Sequence, residues 1–96
     1  MRIISRKALT DFWEKHPDSE MPLRVWFKIL KVSTYASFND LRRTFRTADK
    51  VKDKVVFNIG GNKYRLVAVI HFNYGTIYVR HIMTHQEYDQ QRWKNA

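Results

Sequence analysis

Val55-Val56-Phe57-Asn58-Ile59-Gly60-Gly61-Asn62-Lys63-Tyr64-Arg65-Leu66-Val67-Ala68-Val69-Ile70-His71-Phe72 is the stretch on which the fold turns. β-Branched and aromatic residues crowd both sides of Gly60-Gly61-Asn62, a group that tolerates the positive φ angles of a tight reversal, so the segment predicts two antiparallel strands joined as a hairpin. Asn73-Tyr74-Gly75 is a second turn signal, and Thr76 to Met83 is again β-rich, which extends the pair to a three-stranded meander. Within Tyr64 to Phe72, alternation puts Tyr64, Leu66, Ala68, Ile70 and Phe72 on one face and Arg65, Val67, Val69 and His71 on the other. The first set suits a layer of helices. The second is apolar in its middle and polar at its ends, so it calls for a C-terminal helix, a partner protein or a cleft.

Outward from the meander the period changes. Between Arg6 and His16 the residues Leu9, Phe12, Trp13 and His16 recur at three and four, the face of an amphipathic helix that Pro17 ends. A second helix starts near Asp18 or Ser19, either of which can cap free amides, takes Pro22 in its first turn, and carries Leu23, Trp26, Phe27 and Leu30 on one side. Ser37 is placed to cap a short third helix with Phe38, Leu41 and Phe45 inward and Arg42, Arg43 and Arg46 solvated. Met1 to Ser5 is a candidate edge strand and Glu87 to Trp93 a brief terminal helix. The expected architecture is α+β: N-terminal helices packed on a small twisted antiparallel sheet of three or four strands, with a short C-terminal helix, in one domain spanning residues 1–96.

Composition bounds the function. The chain is 96 residues long with 44% hydrophobic residues and only three Gly and two Pro, so it can build one core and lacks a disordered composition. With no cysteine it has no disulfide framework, thiolate zinc site or Cys nucleophile. No apolar run reaches the roughly 18 residues of a membrane span, and the first ten residues lack a signal peptide's apolar core, so the expected compartment is the cytoplasm. Eighteen Lys and Arg against nine Asp and Glu give a net charge of +9, which favours a polyanionic partner, nucleic acid before an anionic membrane surface.

Hairpin arithmetic then gathers chemistry at one corner. Closing the second hairpin on residues 72 and 76, or 73 and 76, sets Arg65 opposite Met83 or Thr84, next to His85. Tyr88, three residues on, joins them if the segment turns helical, and Arg80 and Lys63 add positive potential. An imidazole exchanges protons near neutrality and a guanidinium stabilises charge growing on a phosphorane, so this set suits cleavage of a phosphodiester. Four scattered His and the Glu87/Asp89 pair show no metal-ligand spacing, so no metal and no cofactor is expected; His71 and His81 are the alternative ligands. Each nomination has a structural counterpart. His85 can simply bond a turn, Arg65 can form a buried ion pair with Glu87 or Asp89, and Tyr88 can be a core aromatic. The run Arg42, Arg43, Arg46, Lys50, Lys52, Lys54 reads either as a solvated face or as a surface that tracks phosphates.

At these residues the sequence resembles a known family. Val56-Phe57-Asn58-Ile59-Gly60-Gly61-Asn62-Lys63-Tyr64-Arg65-Leu66-Val67, with Tyr78-Val79-Arg80 and Thr84-His85-Gln86-Glu87-Tyr88-Asp89, is similar to the HigB-type toxins of bacterial type II toxin–antitoxin systems, as are Ile4 to Leu9, Phe12-Trp13 and Ala48 to Val51. The resemblance implies a RelE-like fold and an endoribonuclease that cuts messenger RNA, commonly on translating ribosomes, by attack of the 2′-hydroxyl on the adjacent phosphate without a metal. It implies a helix-turn-helix antitoxin as partner, the pair binding its own operator DNA. Arg65 matches the family's phosphate-contacting arginine, and His85 and Tyr88 fall where such toxins place catalytic groups; Lys54, Lys63 and Arg80, with Arg42, Arg43 and Arg46, are the expected RNA contacts. The competing expectation is a basic module without catalysis, in which Ser37 to Arg46 lays its arginines in a DNA groove.

Overall fold

Two glycines make the central hairpin possible. Gly60 and Gly61 adopt φ of +63° and +70°, left-handed backbone that a side chain resists, and they turn β3 (Lys54–Ile59) into β4 (Tyr64–His71). Gly75, at φ +60°, closes the short 3₁₀ turn Phe72–Tyr74 and releases β5 (Thr76–Thr84). These elements come from a computed structural model that describes residues 1–91 and 93.

The sheet has five strands in the order β1-β5-β4-β3-β2, with β1 at Arg2–Ile4 and β2 at Asp49–Val51. The edge strand expected at the N-terminus is present, and it runs parallel to β5 with Ile3 beside Ile77, so the sheet is mixed rather than wholly antiparallel. β2 lies beyond the expected three or four strands. Its three residues reverse into β3 through Lys52 at φ +58°, a conformation that Gly or Asn would have advertised and Lys conceals.

Helices α1 (Arg6–Lys15), α2 (Glu20–Lys31) and α3 (Phe38–Thr44) form a layer on one face. Leu9, Leu23, Trp26, Leu30 and Leu41 meet Val55, Phe57, Ile59, Leu66, Ala68 and Ile77 in the main core. Phe57 receives Trp26 and Phe45 edge-on, at centroid separations of 5.4 and 5.1 Å. Ser37 caps α3 through the amide of Asp40, as its position suggested. At α2 the expected cap is absent. A 3₁₀ turn, Pro17–Ser19, precedes the helix, the buried Ser19 hydroxyl donates to the His16 carbonyl, and Asp18 serves β4 instead, accepting from the Tyr64 hydroxyl and Lys63.

The second face carries a smaller cluster of Val56, Val67, Met83 and Trp93, with Val51 and Tyr88 against it. Part of its cover is α4, which runs from His85 to Asp89 rather than from Glu87 to Trp93; Arg92 lies outside the described residues. Thr84 caps α4 through the amide of Glu87, whose carboxylate returns to the amide of Thr84, a reciprocal pair that pins the helix start to the end of β5.

One irregularity decides what this second face presents. Val67 pairs with His81 and its neighbour Ala68 with Val79, so Arg80 is an extra residue in β5. Before the bulge Ile77 and Val79 face the helices; after it Ile82 does, and Met83 moves to the second face.

Candidate active site

Arg65 sits on β4 between Asn58 of β3 and Met83 of β5, on the face away from the helices. The bulge at Arg80 sets that register, and the Thr84 cap then starts α4 with its first residue beside the guanidinium. The His85 amide also donates to the Lys63 carbonyl at 2.9 Å, fastening the helix start to the strand that holds Arg65.

Arg65 is 7% exposed. Its Nη1 donates to the carbonyls of Asn62 and Tyr64, both at 3.1 Å, and its Nη2 lies 3.1 Å from His85 Nδ1. Among the described residues no carboxylate pairs with it, so the buried ion pair to Glu87 or Asp89 is not formed. Glu87 is committed to the Thr84 cap, and Asp89 Oδ2 stands 3.2 Å from His85 Nε2. A cation held by neutral acceptors keeps its full charge for an incoming anion.

The contacts of His85 assign its hydrogens. A guanidinium can only donate, so Nδ1 facing Arg65 holds the lone pair, and Nε2 carries the hydrogen toward Asp89. The ring is about half exposed, which leaves solvent and ligand a way in. Tyr88 completes the corner: its ring centroid is 5.6 Å from Arg65 Cζ and stacks on Trp93 at 5.1 Å. Burial, with the Asp49 carboxylate next, raises the Tyr88 hydroxyl above its usual 10.0, so it is a neutral donor at physiological pH.

The three nominated catalytic residues are therefore brought together. The nominated cations divide. Lys54 shares the second sheet face with Arg65 by alternation along β3 and β4 and lies near enough to His81 to influence its charge. Arg80, on the bulge, lines an open groove of about 530 Å³ with His81, Met83, Glu87 and Trp93. Lys63 turns away and pairs with Asp18 at 3.0 Å. Arg42 and Arg43 belong to α3 in the helical layer, and Arg42 donates to the Arg46 carbonyl; Thr47, beyond that helix, lines a hollow with Asn58, Gly61 and Asn62.

Sequence reasoning passed over Asn58 and Asp49, and named Asp89 and His81 only in other roles, as an ion-pair partner of Arg65 and as a metal ligand. Asp89 is one helical turn from His85, a spacing that was legible, and Asn58 follows from the four-residue loop before Tyr64. Asp49 sits on β2, which the sequence hides. His81 shares the Arg65 face one pair further along, and burial, then the charges of Lys54 and Arg80, lowers its pKa below the usual 6.5. Among the described residues no three of His, Asp and Glu converge as a metal-binding group, and no helix is long and apolar enough to cross a membrane.

Helices on one face of an open sheet, with a guanidinium and an imidazole meeting where its last strand passes into a short helix, define a RelE-like domain. The chain belongs to the HigB toxin family, described as the RelE-like toxic component of a toxin–antitoxin system, whose profile matches residues 19–91. It is 37% identical over 92 residues to the mRNA interferase toxin HigB of Escherichia coli K12, covering 93% of this chain and 88% of that protein, and equally so to the mRNA interferase HigB of Shigella flexneri. The mRNA interferase HigB of E. coli O6:H1 is 29% identical over 93 residues, covering 94% of this chain and 90% of its own. An antitoxin partner follows from the family.

Proposed function

We propose that this toxin is an mRNA endoribonuclease in which Arg65 and His85 act on the scissile phosphate. The observation that carries the proposal is the 3.1 Å contact between a buried guanidinium with no carboxylate partner among the described residues and an imidazole nitrogen that must hold its lone pair. A phosphate entering the corner competes for the Arg65 donors. As Nη2 turns to a phosphoryl oxygen, His85 Nδ1 is released to accept the 2′-hydroxyl proton. The 2′-oxygen then bonds to phosphorus, the bond from phosphorus to the 5′-oxygen breaks, and the leaving oxygen takes a proton from solvent, to which the protonated His85 later returns the one it accepted; the fragments end in a 2′,3′-cyclic phosphate and a 5′-hydroxyl. Arg65 stabilises the charge that grows on the phosphoryl oxygens, an effect worth about 3 to 4 kcal/mol for one well-placed donor. Proton transfer by a positioned side chain adds about 10² to 10⁴ in rate.

Tyr88 holds the guanidinium in place, a role its contact with Arg65 favours over stacking on a base, because Trp93 already occupies ring surface. Lys54 and Arg80 supply phosphate contacts along the same sheet face. Such an enzyme works in the cytoplasm on messages, including those on translating ribosomes, and is silenced by a helix-turn-helix antitoxin through which the pair reaches operator DNA.

The test is expression without antitoxin. The wild-type chain should arrest growth and deplete messenger RNA, while Arg65→Ala and His85→Ala, checked for a folded circular dichroism spectrum, should do neither. Continued cleavage by both variants overturns the site. A steep salt dependence on duplex DNA with messenger RNA intact would favour the non-catalytic module instead.

A further inference from the structure

On the far side of the helical layer, α1 and α2 meet along a seam that none of the chemistry above uses. Leu9, Trp13 and Phe27 form the floor of a groove of about 230 Å³, and Arg6, Arg24 and Lys28 stand on its lips. The cations lie over the rings: Arg24 Cζ is 4.7 Å from the Trp13 ring and Arg6 Cζ is 5.2 Å from that of Phe27, which also has Lys31 Nζ at 5.6 Å. A second observation concerns α2 itself. The large apolar residues that stand exposed are Met21, Val25, Val32 and Tyr74, and all but Tyr74 lie on this helix or its C-terminal cap. Met21, Arg24, Val25, Lys28 and Val32 follow helical spacing, so α2 shows solvent a mixed apolar and cationic stripe beside its buried one. The acid on α2, Glu20, is bound to Arg24 at 2.8 Å, and Asp11 and Glu14 of α1 do not line the groove.

We propose that this seam docks an acidic amphipathic helix of the antitoxin. The inference rests on the toxin–antitoxin assignment and adds to it a location and a chemistry. An apolar floor between cationic lips is complementary to a helix with aliphatic side chains at i, i+3, i+4 and i+7, flanked by Asp and Glu. The groove lies across the sheet from Arg65 and His85, so a partner seated there leaves the catalytic corner uncovered. It neutralises the toxin by adding bulk on the helical side or by tethering it, not by filling the site.

The experiment measures the affinity of the antitoxin encoded with this toxin, purified separately, for the full chain and for Arg24→Glu/Lys28→Glu and Val25→Ser variants. All these residues lie outside the site, so RNA cleavage by the free variants should match wild type, which also reports that they fold. The charge reversal should weaken antitoxin binding at least about tenfold and flatten its salt dependence, as expected when the α2 lip changes sign. The milder Val25→Ser should weaken it less, without changing the salt slope. Unchanged affinity in both variants overturns the docking site and leaves the nuclease reading standing. Loss of RNA binding, or of self-association by sedimentation, in place of antitoxin binding would assign the groove to another occupant and equally overturn the proposal. Failure of the wild-type chain to cleave RNA while it binds antitoxin strikes only the nuclease reading.

Discussion

Arg65 and His85 stand 3.1 Å apart although twenty residues separate them in the chain. Three backbone devices produce that distance: the Gly75 turn, the bulge at Arg80 and the Thr84 cap. The contact joins a donor-only group to a ring nitrogen, which sets side by side the charge and the proton acceptor that the proposed phosphodiester cleavage uses.

Arg65→Lys keeps the charge and discards the planar fork that spans two carbonyls and an imidazole. Cleavage should fall by about 10² to 10³ with the fold intact by circular dichroism. Wild-type rates in this variant would show that a point charge suffices.

His85→Gln retains a polar side chain at a half-exposed position, and stability should change by less than about 1 kcal/mol. The rate should drop by about 10² to 10⁴. A chemical denaturation curve and a single-turnover cleavage assay separate the two effects.

His81 should titrate below 6.5 by NMR, and Lys54→Met should move its midpoint upward by removing one of the charges that oppose protonation. The sign for stability follows. A histidine whose folded pKa is depressed contributes fully above its unfolded value and loses that contribution as pH falls. The His81→Phe variant should therefore lose less stability than wild type on acidification below 6.5.

The Tyr64 hydroxyl donates to Asp18, which lowers the Asp18 carboxyl below its usual 3.8 and raises the tyrosine above 10.0. The carboxylate's contribution is present above 3.8 and fades as pH drops through its folded pKa; the tyrosine's is present below 10.0 and fades as pH climbs through its own. Tyr64→Phe should melt earlier than wild type between those limits, with the gap narrowing on either side. A gap independent of pH would assign the effect to packing alone.

Leu66 is fully buried at the centre of β4, against the helices. Leu66→Ala should cost about 2 to 5 kcal/mol, enough to lower the melting temperature of a domain this size by roughly 10 °C or more.

The fold was legible where local chemistry speaks. The glycine-bearing turns, the helical spacing of Leu23, Trp26, Phe27 and Leu30, and the Ser37 cap all follow from short-range rules. The pairing of Arg65 with Met83 was also expected, yet the protein reaches it through two departures that cancel. The hairpin closes on His71 and Thr76, earlier than expected, and Arg80 restores the lost residue as a bulge. What stayed hidden is long-range or unsigned. Lys63 was grouped with Arg65 because they are neighbours, but Asp18, forty-five residues away, takes its ammonium. The strand Asp49–Val51 has no apolar alternation, and its turn uses Lys52 where a glycine would have given a signal. Arg65, His85 and Tyr88 were within reach because turn arithmetic and helical spacing both operate over few residues.

The supernumerary residue in β5 has a consequence for how this family can vary. Draw Arg80 into the ladder opposite Val67 instead of leaving it unpaired, and the strand beyond it slides by one position, carrying Ile82 opposite Arg65 and turning Met83 to the helices, since a strand's two sides interchange with every single-residue step. Every functional side chain would still be encoded, in the same order, yet the imidazole would no longer meet the guanidinium. The proposed site is a matter of counting as well as of composition: deleting Arg80 would straighten the strand and keep His81 opposite Val67, whereas adding one residue between His81 and Thr84 should displace His85 and disarm the toxin.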